Sequence, residues 1–243
     1  MIGEVSAPGS IFGGVYSEHV VEVRYKPNPV LLDRRGLRVG ELAKSMGYEH
    51  WQVVGDQVVK AARSDNKEWA FVGYRNAAIT CQDLGSGEEF GQRATTFCRT
   101  LYGLPDFGAR TVVTRLGVRS RFLKEYQGTF DSLRDLFVEK CVRFTERFRA
   151  AIEASVEDVG APVVGKDKHG TFNMSSGPMK QEQAKGFLVR EHDLWPVSLY
   201  VDIDYWEAPK NEIDVGQLAR MVSIFAEQGW RKYNNMLAVL EGK

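Results

Sequence analysis

Long hydrophobic runs are missing from this 243-residue chain: none approaches the roughly 20 apolar residues that cross a bilayer, so no membrane partner is expected. Net charge is missing as well. The 32 basic and 32 acidic side chains cancel, which excludes a global field drawing the chain to nucleic acid and leaves only local patches. Cysteine is scarce and odd in number. Cys81, Cys98 and Cys141 lie far apart in apolar runs, which reads as reduced core thiols rather than a disulfide framework or a metal site. The opening Met-Ile-Gly-Glu-Val-Ser has neither a basic n-region nor an apolar h-region, so the expected location is the cytoplasm. Chain length is ample for a core without metal or disulfide.

Catalytic motifs are equally sparse. His-Glu-x-x-His, Cys-x-x-Cys and Gly-x-Ser-x-Gly do not occur, and no two of His19, His50, His169 and His192 stand at ligand spacing. Gly85-Ser-Gly-Glu-Glu-Phe90 lacks the Lys-Ser/Thr of a phosphate loop. It puts Glu88 and Glu89 where a phosphate would sit, so it reads as a capped turn into a helix. No cofactor, no resident metal and no catalytic residue is expected from these patterns.

What is present is a strand-like run with arginines on one face, Arg110-Thr-Val-Val-Thr-Arg-Leu-Gly-Val-Arg-Ser-Arg-Phe122. Alternation along a strand groups Val113, Arg115, Gly117, Arg119 and Arg121 on one side. Val112, Thr114, Leu116, Val118, Ser120 and Phe122 take the other. A later segment, Leu199-Tyr-Val-Asp-Ile-Asp-Tyr205, opposes an apolar face of Leu199, Val201, Ile203 and Tyr205 to a polar face of Tyr200, Asp202, Asp204 and Trp206. An early strand, His19–Lys26, alternates His19, Val21, Val23 and Tyr25 with Val20, Glu22, Arg24 and Lys26.

Around these strands, residues 1–17 are rich in Gly, Ser and Pro and are expected to form a flexible arm. Pro27-Asn-Pro29 ends the first strand, and Leu37–Met46 predicts a short helix closed by Gly47. Trp51–Ala61, Glu68–Tyr74 and Ala77–Gln82 predict a meander of strands. Helices follow over Glu88–Tyr102 and Thr129–Ala151, the second with Phe130, Leu133, Phe137, Cys141, Phe144 and Phe148 on one stripe. Composition shifts after Val156. Residues 160–183 form either a connection with its own strands, with a hairpin at Lys168-His-Gly170, or a mobile loop. Gly186–Arg190 and Val197–Trp206 are strand candidates. The final helix runs from Asp214, in a capping box with Gln217, to about Leu240, with Gly229 at a kink or a close contact.

This order predicts an α+β fold, a largely antiparallel sheet with long helices on one face, and it admits two pseudo-similar halves. The expected division is an arm at 1–17, an N-terminal α+β half at 18–156 and a C-terminal β-β-α half at 157–243. The layout resembles a sporadically distributed, functionally uncharacterised family of bacterial proteins of about this length. Three segments carry the likeness: Val21-Glu-Val-Arg-Tyr25, Thr114-Arg-Leu-Gly-Val-Arg119, and Asp202-Ile-Asp-Tyr205 followed by a long helix. An Asn expected after the second segment is replaced by Ser120-Arg-Phe. The resemblance implies a shared fold, brings no activity with it, and fits an accessory role in a defence or mobile-element system.

The binding candidates are therefore Glu22, Arg24, Arg115, Arg119, Arg121, Asp202 and Asp204. Arg forks suit carboxylate and phosphate oxygens, but the same arginines can pair with the acidic strand. The leading expectation is a non-enzymatic protein that binds a protein partner or a second copy through the charged face or the long helix. Nucleic-acid or nucleotide binding through Arg115, Arg119 and Arg121 is the alternative. A metal-dependent phosphodiesterase or nuclease built on Asp202 and Asp204 comes third.

Overall fold

The computed structural model describes residues 10–54, 58–108, 111–189 and 193–243. Arg110, Arg190, Glu191, His192 and the first nine residues of the expected arm lie outside them. The chain runs β1 (Phe12–Tyr25), α1 (Pro29–Met46), β2 (His50–Val54), β3 (Val58–Ala62), β4 (Glu68–Val72), β5 (Asn76–Gln82) and α2 (Gly87–Gly103). It continues with β6 (Val113–Tyr126), α3 (Phe130–Phe137), a π turn (Val138–Val142), α4 (Glu146–Ile152), β7 (Ala161–Lys166), β8 (Thr171–Lys180), α5 (Gln181–Ala184), β9 (Val197–Glu207) and α6 (Val215–Glu241).

All nine strands described join one antiparallel sheet in the order β2-β3-β4-β5-β1-β6-β9-β8-β7. The fold is α+β, as the element order predicts. The sheet order shows two repeats meeting at β1 and β6. In each, the first strand lies at the centre, a helix follows it, the last strand returns beside the first, and a long helix closes the unit. The topological division falls between α2 and β6, not at the shift in composition after Val156. Asn28 and Thr129 cap the corresponding helices α1 and α3, and His19 and Ser120 are separated by the same number of residues. His19 and Ser120 are direct cross-strand partners, so the pseudo-two-fold axis passes through them.

One face of the sheet is covered. Val21, Val23, Leu116, Val118, Phe122, Val201, Ile203 and Tyr205 point into a core closed by α1, α2 and α6. The helices α2 and α6 cross antiparallel over the β1–β6 seam at close quarters. A Cβ on Gly87 would lie 3.1 Å from the Ala226 carbonyl, and one on Gly91 would lie 3.0 Å from Ser223 Oγ. Gly229 marks close packing rather than a kink, with Ser120 against it. Beneath the crossing, the fully buried His19 ring sits 4.9 Å from Phe90, 5.3 Å from Phe122 and 5.6 Å from Trp230. Its Nδ1 hydrogen-bonds Ser120 Oγ at 3.0 Å. Burial pushes its pKa down to about 3.

Several expectations change. β1 begins at Phe12, so residues 12–17 belong to the sheet and not to an arm. Gly13 and Gly14 are there because Glu125 and Trp195 press against the backbone, and Gly14 N donates to Glu125 Oε2 at 2.9 Å. The helix expected at Leu37–Met46 starts earlier, at Pro29, with Asn28 as its cap. Thr129–Ala151 is not one helix. Arg143 adopts φ +49° after the π turn and Thr145 caps a new helix, so Phe148 leaves the stripe and is exposed. Gly186 has φ +80°, which no strand accommodates, and the segment expected as a strand from that residue is a turn as far as Val189. A bulge between Arg24 and Tyr25 in the β1–β6 register moves Val113 to the core side. The region 160–183 resolves into the β7–β8 hairpin and α5.

Two outcomes test this packing. Gly87→Val should force α2 from α6 and cost about 1–3 kcal/mol, read by urea unfolding. The second concerns His19. The unfolded imidazole takes a proton near its ordinary 6.5 and the native one only near 3, so between those values the unfolded state binds more protons. Stability should fall as pH drops below 6.5, by at most about 1.4 kcal/mol per pH unit. Between pH 6.5 and 5, His19→Asn should flatten that slope.

Candidate functional site

The three segments quoted above as family-like converge. Val21–Tyr25, Thr114–Arg119 and Asp202–Tyr205 occupy the adjacent central strands β1, β6 and β9. Antiparallel partners share a face. Glu18, Val20, Glu22 and Arg24 therefore stand on the open side with Arg121, Arg119, Gly117 and Arg115, and Asp202 and Asp204 join them from β9.

The charges on β6 and β9 pair across strands, along diagonals, while Arg24 and Glu22 pair within β1. Arg119 grips Asp202 with two nitrogens, at 2.8 and 2.5 Å, instead of its register partner Asp204. Arg115 Nη2 donates to Asp204 Oδ2 at 3.2 Å, and Arg24 Nε to Glu22 Oε2 at 2.8 Å. Burial raises the Asp204 pKa against the opposing pull of Arg115 and Arg119, with the Asp202 and Glu22 carboxylates adding to the rise. Arg119 is 49% exposed and Asp202 17%, so this ion pair is half in solvent.

Arg121 differs. It pairs with Glu18, whose side chain is completely buried, and its Nη1 donates to the Phe187 carbonyl at 2.5 Å. Glu18 also accepts from Gln82 Nε2 at 3.1 Å and from Val189 N at 2.8 Å. The segment 181–189 is thereby strapped across one end of the open face, with Ala184 and Leu188 packed on Leu123. Glu18 is a partner that sequence reasoning missed. Alternation from Glu22 places it on the same face, but the expected strand began one residue too late.

Beyond the strap lies a groove of about 300 Å³ bounded by Glu22, Arg24, Phe71, Arg115 and Arg119, with Gly117 on its floor. Trp69, Phe71 and Trp206 also face this side, and the Arg115 guanidinium lies 5.5 Å from the Trp206 ring centre. Asp202 and Asp204 each hold an arginine. Among the described residues no three His, Cys, Asp or Glu side chains come together to hold a metal ion. The groove therefore offers fork-shaped donors, paired carboxylates and aromatic faces.

The arginines should divide by energy. Replacing Arg121 by Met leaves Glu18 buried and uncompensated, and should cost about 3–5 kcal/mol in urea unfolding. Arg119→Met should cost less than about 1 kcal/mol. Equal losses would contradict the assignment of Arg121 to the framework and Arg119 to the surface.

No family model and no curated protein matches the chain. Among solved structures, the duplicated taurocyamine kinase from Schistosoma mansoni with bound transition state analog components is similar over 90% of this chain, at 10% identity and a TM-score of 0.31. The matched region spans 34% of that chain. A likeness of that degree transfers neither fold nor activity. No helix among the described residues is long and apolar enough to cross a membrane.

Proposed function

We propose that this protein is a non-enzymatic binding module, cytoplasmic, that engages a protein partner through the open face of its sheet. The observation that carries this reading is the composition of that face. At its centre Arg24, Arg115, Arg119 and Arg121 are balanced by Glu18, Glu22, Asp202 and Asp204, with Trp69, Phe71 and Trp206 alongside and Lys60 and Lys166 on the outer strands. Arginines already paired with carboxylates, beside aromatic rings, are the chemistry of protein interfaces. A polyanion would favour a positive excess. The long helix α6 is the weaker candidate, because its apolar side is taken up by the sheet and α2. Kinship with the sporadically distributed bacterial family, and with it an accessory role in a defence or mobile-element system, belongs to the same proposal.

A second reading, nucleic-acid binding, draws on the spare donors. Arg119 spends Nε and Nη2 on Asp202, and Arg115 spends only Nη2 on Asp204, so guanidinium nitrogens remain for phosphate oxygens. The readings separate with a benzophenone amino acid at Phe71, photolysed in cells. Polypeptide adducts that vanish in the Arg119→Glu background are expected. Nucleic-acid adducts, whose yield in lysate falls with the salt present during photolysis at a log-log slope of about one per phosphate contact, would overturn the first reading.

A further inference from the structure

The strand β2 ends the sheet on one side, and each of its five residues is exposed. Its register on β3 sets Trp51 opposite Ala61 and Val53 opposite Val59, on the side that the helices cover elsewhere. His50, Gln52 and Val54 take the open side. Helix α1 packs mainly on β3 and meets β2 only marginally, leaving Trp51 72% exposed and Val53 64%. Two core-type side chains thus stand largely exposed on the core side of the sheet, with no layer of described residues over them. The strand also has no counterpart in the second repeat, which ends at β7.

Sheet edges are normally guarded against pairing by charge, proline or a bulge. The sequence of β2, His-Trp-Gln-Val-Val, has no charged residue beyond a histidine, no proline and no glycine. The opposite edge is guarded: β7 contains Pro162 and Gly165 and ends in Lys166. The two edges are therefore not equivalent, and head-to-tail growth from β2 onto β7 is disfavoured.

We propose that β2 is a self-association edge, at which two copies of this chain pair their β2 strands antiparallel about a two-fold axis at Gln52. The occupant is a second copy because the strand is complementary to itself. Centred on Gln52, the pairing sets Trp51 against Val53 of the second copy and Val53 against its Trp51. That aromatic–β-branched contact is made twice, on the side the helices leave bare. His50 meets Val54, Gln52 meets Gln52, and no like charges face each other. Each copy offers the same patch, as a closed two-fold dimer requires. The sheet then continues from one molecule into the next while both open faces remain free. This inference rests on the edge alone and is independent of the reading of the open face.

The test is sedimentation of the full chain from dilute to concentrated solution. Its weight-average mass should rise from 27.4 kDa toward twice that value. Trp51→Lys and Val53→Lys, each a guard placed on an exposed position, should weaken the association more than tenfold and leave the melting temperature of the dilute, monomeric chain unchanged. Arg24→Glu, on the open face, should leave association intact. A wild-type chain that stays monomeric throughout overturns the proposal. So does a dimer that survives both edge variants, or one that Arg24→Glu abolishes.

Discussion

Two fourteen-residue strands, β1 and β6, pair along nearly their whole lengths, and the rest of the molecule is arranged by that pairing. Each accepts the last strand of its own repeat on its outer side, so the sheet grows in both directions from one seam. The helices that follow those returning strands, α2 and α6, then have to cross above the seam. Their separation is set by Gly87 and Gly91, where a side chain would meet the α6 backbone or Ser223. His19 lies at the bottom of this stack, on the axis. Its low pKa is a consequence of position: a ring enclosed by Phe90, Phe122 and Trp230 has no solvent to share a charge with.

The same seam fixes the charge of the other face. In an antiparallel pair, a side chain and its register partner emerge on one side, so the β1–β6 register alone brings Glu18 to Arg121 and Arg24 to Arg115. Arg24 and Arg115 are like charges placed directly opposite, an arrangement that is unfavourable unless each has its own counter-ion. Glu22 and Asp204 supply these from neighbouring positions. The acidic strand is therefore needed for the arginines to stand where they do.

Much of this was legible in the sequence. Period-two alternation separates the two faces of β6 from Arg115 onward and of β9 over Leu199–Trp206, because a half-buried strand has to alternate. The capping box at Asp214 and Gln217 is in place. What was hidden depended on tertiary contact. Gly13 and Gly14 look like a flexible lead-in, yet they are small because Glu125 and Trp195 need the space. The phenylalanine stripe of Thr129–Ala151 has helical spacing, but spacing does not reveal that Arg143 leaves the helical region and Thr145 starts again. Glu18 was invisible as a partner of Arg121 because the strand boundary fell one residue short of it. The strap depends on a carboxylate accepting a backbone N–H 171 residues away, which no local pattern records.

The two ends of the open face differ in what they can give a ligand. Under the strap, Arg121 and Glu18 are committed: they pair where the Glu18 side chain is completely buried, and separating them leaves a buried charge. At the groove, the Arg119–Asp202 and Arg115–Asp204 pairs are partly solvated, and exposed pairs of this kind are worth about 1 kcal/mol or less. A docking partner that exchanges them for pairs of its own loses little, while the carboxylates have already held the guanidinium forks in place. The aromatic rings alongside supply apolar area that a balanced set of charges does not. Such ion pairs add little to long-range steering, because each groove arginine already stands beside a carboxylate. The selectivity of the face has to come from short-range geometry, through the spacing of the forks across β1 and β6 and the rings beside them.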